Sequence, residues 1–244
     1  MFEPGEDQAA GLRQLLRLPP LRLLPVTGTG TPRELDELAA GIAGACSLRG
    51  CRTLLVGARA PCDAVPGAAG PAVRRVALPS RLQGMSRAGG AAAWIEELPI
   101  AHRGFELAVV AAPEGLMGPM FERLRPVTLV SCGPSRDDLA GAYAVVKRLA
   151  RGHGFQRFQL LFAGLPDPAL ALRRQRRLAG VALRHLGVEV GFAGAVVLEM
   201  QPSRHEPGSA AAAAGSGADA LVPVADAARS WSLAAVGRGG AALH

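Results

Sequence analysis

Short apolar runs of strand length alternate along this chain with stretches that carry apolar residues at helical spacing. That alternation constrains the fold more than any single residue. Leu21 to Thr27 is the first such run. A turn of Gly28, Thr29, Gly30, Thr31 and Pro32 follows it, then a helix from Arg33 to about Leu48 with Leu35, Leu38, Ile42 and Ala45 on its inner side. Gly50 ends that helix, and Thr53 to Val56 is the next run. A strand, Gly-rich turn, helix and strand in this order imply parallel pairing through a right-handed crossover.

The same grammar continues. Val73 to Leu78 predicts a short strand, Ala91 to Leu98 a short helix, and Leu107 to Ala112 and Pro126 to Ser131 two buried strands. A helix over Arg136 to Arg151 presents Leu139, Tyr143, Val146 and Leu149. Phe158 to Ala163 is a strand, Pro168 to Leu186 a helix, and Ala193 to Leu198 the closing strand. Strands that are apolar throughout need both faces covered, so the expected fold is α/β, a doubly wound, mostly parallel sheet with helices on both faces.

Around this domain, assigned to residues 21–200, the composition shifts. Residues 1–20 read as a separate helix, Asp7 to Leu18, closed by Pro19-Pro20. Ala58 to Gly70 is an irregular connection, 201–220 a flexible Ala/Gly/Ser-rich loop, and 221–244 a C-terminal segment in which Leu221 to Val236, with Trp231, forms a returning helix. At 244 residues and 49% hydrophobic, the chain can bury a real core, and disorder throughout is excluded.

The charge is +7 from 27 basic and 20 acidic side chains, yet Lys147 is the only lysine. A sequence pI near 10.4 suits any acidic partner and selects none. Cys46, Cys51, Cys62 and Cys132 lack metal-ligand spacing and read as reduced, buried thiols of a cytoplasmic protein. The acidic opening with Glu3, Glu6 and Asp7 does not look like a secretory signal, and no apolar run has the length of a spanning helix.

In a doubly wound sheet the ligand sits at the carboxyl ends of the strands, where the first turn meets a helix N-terminus. Gly28, Thr29, Gly30, Thr31 and Arg33 are therefore the candidate nucleotide-contacting residues. A working GxxxxGK[ST] loop needs a lysine at the β- and γ-phosphates, and this turn has none. Acids that would hold magnesium at the ends of the second and fourth buried strands are also lacking: Gly57-Ala58 follows one, and Ala111-Ala112-Pro113 the other, with Glu114 just beyond. The expectation is weak ATP or ADP binding at most, without hydrolysis and without a bound metal.

Placed in order, these pieces resemble the FlhG (FleN) family, MinD/ParA-type regulators of flagellar number and placement with a P-loop NTPase-like fold. Asp7-Gln8-Ala9-Ala10-Gly11-Leu12-Arg13 is similar to the family's DQAxxLR segment. Pro25-Val26-Thr27-Gly28 takes the place of a deviant Walker A loop, shortened and without its lysines. Gly141 to Leu149 resembles the family's AYALIK helix, and Gly187 to Val196 its LGxxLxYLGxVP ending. The resemblance spans most of residues 7–200.

It implies that Asp7, Gln8, Leu12, Arg13 and Leu16 bind and stimulate a FlhF-type SRP-family GTPase, with Gln8 ordering the partner's catalytic water. It also implies contacts with flagellar basal-body or regulatory proteins, and a cytoplasmic location, peripheral at the inner membrane or cell pole. The tail from Asp226 to His244 would be the remnant of the family's membrane-targeting helix, but Gly237, Gly239 and Gly240 favour a packed or frayed terminus and at most a weak membrane contact. Two rival readings are an active ATPase using Arg33 and Thr31 as surrogates, and a nucleic-acid-binding or scaffold protein. The cluster Arg173, Arg174, Arg176 and Arg177 reads as a solvated helix face, and few aromatics are available to stack bases. The five histidines are dispersed, and Ser131-Cys132-Gly133 lacks the pattern of a nucleophile elbow.

Overall fold

A computed structural model describes residues 21–57, 73–79, 93–95, 98, 104–196, 221 and 224–226. The helix expected over Asp7–Leu18, the connection after Gly57, Cys62, the 201–220 loop and Trp231 lie outside them.

Seven strands form one all-parallel sheet. In chain order they are β1 (Arg22–Gly28), β2 (Thr53–Gly57), β3 (Arg74–Ala77), β4 (Leu107–Ala111), β5 (Thr128–Cys132), β6 (Arg157–Ala163) and β7 (Glu189–Val196), and across the sheet they run β3-β2-β4-β1-β5-β6-β7. Four helices among the described residues cover it: α1 (Pro32–Leu48), α2 (Glu114–Phe121), α3 (Arg136–His153) and α4 (Pro168–Leu186). Every residue of β2, β4 and β5 is buried, which accounts for their unbroken Val, Leu and Ala content.

Two cores flank the sheet. On one face Met117 and Phe121 of α2, Val145 and Leu149 of α3, and Leu178 of α4 pack against Val110, Val130, Leu160 and Phe162. On the other, Leu35, Leu38 and Ile42 of α1 meet Leu24, Val26, Leu55 and Val109. Each of these buried side chains contributes about 1.5–3 kcal/mol relative to exposure. Leu221, Val224 and Ala225 join the α1 face, and Asp226 pairs with Arg49 at 3.1 Å. The start of the expected returning helix thus packs into the core. No helix among the described residues is long and apolar enough to cross a membrane.

Two expectations need correction. α2 was not foreseen, because Gly115, Gly118 and Pro119 dilute its helical signal; Gly118 is needed because a Cβ there would sit 2.2 Å from the His153 ring. β7 begins at Glu189 rather than Ala193. Gly191 and Gly194 break its apolar run, and its register against β6 shifts between Leu160 and Leu161.

β1 feeds α1 on one face and leads to β2 on one side of the sheet. β5 feeds α3 on the opposite face and leads to β6 on the other side. Between β1 and β5 the winding reverses, and the carboxyl edge opens into a crevice.

Candidate functional site

At that edge Gly28 pairs with Ser131, and the Thr29 N–H donates to the Ser131 carbonyl at 3.3 Å. A Cβ on Gly28 would fall 2.2 Å from Ser131 Oγ and 2.6 Å from its carbonyl oxygen, so glycine is required for the two strand ends to meet.

Each strand then turns into a helix capped in the same way. Thr31 begins α1: the Glu34 N–H donates to Thr31 Oγ1 at 3.3 Å, while the Thr31 N–H and hydroxyl donate to Glu34 Oε2 at 2.7 and 3.1 Å. Ser135 begins α3: the Asp138 N–H donates to Ser135 Oγ at 3.0 Å, and the Ser135 N–H and hydroxyl donate to Asp138 Oδ2 at 2.9 and 2.6 Å. These are two capping boxes, in which a side-chain carboxylate satisfies the helix's first donors.

Between them lies a cleft of about 380 Å³, lined by Thr29, Gly30, Thr31, Glu34, Glu37, Leu38, Ser131, Gly133, Pro134, Asp138, Ala163 and Gly164. Glu34, Glu37 and Asp138 contribute to its lining, and among the described residues no basic residue does. Arg33 does not line it; its Nε pairs with Glu37 Oε1 at 2.8 Å. Arg174 reaches the rim from α4, where it donates to the Pro134 carbonyl.

The turn residues Gly28, Thr29, Gly30 and Thr31 thus come together at the crevice, and Arg33 stands beside them. Asp7, Gln8, Leu12, Arg13 and Leu16 lie outside the described residues. Sequence reasoning overlooked Glu34, Glu37 and Asp138 as site residues and weighed Ser131 only as part of a nucleophile elbow. The signal was available in the spacings Thr31-x-x-Glu34 and Ser135-x-x-Asp138, each ahead of a helix.

The chemistry of this crevice differs from that of a phosphate cradle. A helix N-terminus attracts an anion through open N–H groups, and here the Thr31 N–H already holds the Glu34 carboxylate. A phosphate within about 5 Å of one carboxylate meets a repulsion of roughly 3 kcal/mol at an effective dielectric near 20. Lys147 is exposed on α3 and does not line the cleft.

The neighbouring strand ends are equally telling. At the end of β2 a Cβ on Gly57 would lie 2.5 Å from Asp36 Oδ1, so a carboxylate from α1 fills the space beside the strand. Asp36 is 4% exposed, and its Oδ2 has no hydrogen-bond partner among the described residues. Beyond β4, Glu114 is clamped by Arg148, with Nε to Oε1 at 2.5 Å and Nη2 to Oε2 at 2.6 Å. Cys132 is no nucleophile: burial first, and Asp138 second, push its thiol up to about 12 against a smaller opposing effect of Arg174. Among the described residues no group of three His, Cys, Asp or Glu is placed to hold a metal ion.

Comparison with solved structures places the fold. The chain is similar to MinD cell division protein from Aquifex aeolicus, with a TM-score of 0.54 and 12% identity over 86% of this chain and 97% of that one. It is equally similar to a chain of the MinC:MinD cell division protein complex from the same organism, with a TM-score of 0.54 and 12% identity over 86% and 96%. This is the MinD/ParA-like, P-loop NTPase-type α/β fold. No family model matches the chain, and no curated protein matches it.

Proposed function

We propose that this chain is a regulator of bacterial flagellar number and placement that works through protein contacts rather than ATP hydrolysis. In this reading the segment Asp7, Gln8, Leu12, Arg13 and Leu16 docks on a FlhF-type SRP-family GTPase and stimulates it, Gln8 helping to order the partner's attacking water. The domain that follows is a degenerate ATPase that keeps the MinD-like fold and has lost the phosphate chemistry. It acts in the cytoplasm, or peripherally at the inner membrane or cell pole, with further contacts to basal-body proteins.

The observation that carries the non-hydrolysing half is the Glu34 carboxylate seated on the Thr31 N–H at 2.7 Å, where a phosphate loop would present free donors. The absence of any lysine from Leu21 to Leu48 supports it. The GTPase-activating half is supported by the DQAxxLR-like residues, and a partner-bound MinD among the similar folds supports protein contact in general.

The test is GTP turnover by a purified FlhF-type GTPase with and without the full chain. The wild-type chain is expected to raise turnover, and the double variant Gln8→Ala, Arg13→Ala to lose at least about tenfold of that gain, the scale of a missing residue supplied in trans. Equal stimulation by the variant would overturn the assignment.

A further inference from the structure

The crevice at the winding reversal is closed to anions but not filled. Two of its carboxylates spend one oxygen each on their own helix caps and keep the other open: Glu34 Oε1 and Asp138 Oδ1 accept no hydrogen bond among the described residues. Independently of that acidic pair, Ser131 is only 8% exposed, lines the crevice, and its hydroxyl has no hydrogen-bond partner among the described residues. Its oxygen is not sealed in the interior, and the residue lines the crevice. The main-chain glycine at 28 exists to let that hydroxyl lie against β1.

An unpartnered hydroxyl and two open carboxylate oxygens, lining a hollow of about 380 Å³, form a set of hydrogen-bond acceptors. We infer that this crevice receives an arginine side chain of a partner protein. A guanidinium carries five donors in a planar fork, is always charged, and loses less hydration than an ammonium on entering a hollow. It matches acceptors spread over two helix N-termini and one strand end, whereas a nucleotide would bring like charge. Glu37 at the mouth, already paired with Arg33, adds negative potential that steers the cation inward. Arg174 marks the opposite rim and limits how far a second cation can follow.

The inference goes beyond the GTPase-activating reading and does not depend on residues Asp7 to Leu16. The position that carries phosphate chemistry in this fold becomes, in this chain, a socket for a protein side chain.

The test uses the full chain and a Gly/Ser decapeptide bearing one central arginine, followed by amide NMR shifts. Saturable shifts are expected at Gly30, Gly133 and Gly164, with none from the same peptide carrying glutamate. The double variant Glu34→Gln, Glu37→Gln keeps a capping residue at position 34 and should weaken binding at least tenfold. Ser131→Ala should weaken it about threefold at unchanged melting temperature. Absence of saturation, or equal binding by these variants, overturns the inference. Self-association of the chain that shifts the same amides without peptide also overturns it, since the socket would then serve the chain's own arginine. Saturable ATP binding at these amides would also overturn the inference, because the crevice would then accept the like charge of a nucleotide, whereas failure of the arginine peptide alone leaves the non-hydrolysing reading standing.

Discussion

The β1–α1 and β5–α3 turns meet at the same crevice and are built alike: a buried strand, a small-residue turn, a hydroxyl N-cap, and an acid three residues on that returns to the cap. Only the first occupies the position where this fold carries a phosphate loop. It is an ordinary capped turn, stabilised from within by its own carboxylate. The units differ in what their glycines accommodate. Gly28 abuts the backbone and side chain of Ser131, whereas Gly133 makes room for the movable carboxylate of Asp138.

That difference gives the largest expected effect. Gly28→Val drives new atoms into a strand partner that cannot retreat, and should cost about 3 kcal/mol in urea unfolding. Gly133→Ala displaces only the Asp138 carboxylate and should cost about 1 kcal/mol, the value of a cap. Equal losses would erase the distinction between the two turns.

The thiol on the β5 side adds a pH signature. Cys132 stays protonated in the folded state up to about 12, while the unfolded thiol loses its proton near 9. The folded state therefore binds more protons between those values, and stability falls as pH rises through that window, by about 1.4 kcal/mol per unit. The stabilising contribution is complete below pH 9. Cys132→Ala should be less sensitive than wild type over the same window, and parallel curves would place the thiol in water.

The smallest effects test the likeness itself. Thr31→Ala and Ser135→Ala should each cost about 1 kcal/mol, and their losses should add in the double variant, because each cap closes on its own helix. A Thr31→Ala variant with no loss would mean that the α1 cap is not formed.

Much of this architecture was legible in the sequence. Leu107–Ala112 and Phe158–Ala163 announced buried strands, Pro168–Leu186 matched its helix end to end, and the helix expected from Arg33 to about Leu48 is α1. α2 and the start of β7 were hidden because glycines that serve close packing, Gly118 beneath His153 and Gly191 beneath Gln159, look like breaks in a one-dimensional pattern. The missing lysine of the first turn could be read directly. That Glu34 and Asp138 share one crevice could not, since their meeting depends on β1 lying beside β5, with Gly28 paired to Ser131 far along the chain. Capping spacings locate each acid on its helix, and only the strand order brings the two together.

With the Glu34 carboxylate on the Thr31 N–H, the first turn has no place for a phosphate. Calorimetric titration of the full chain with ATP and magnesium should therefore give no saturable heat up to millimolar nucleotide. Saturable binding in the micromolar range, accompanied by amide shifts at Gly30 and Thr31, would contradict it.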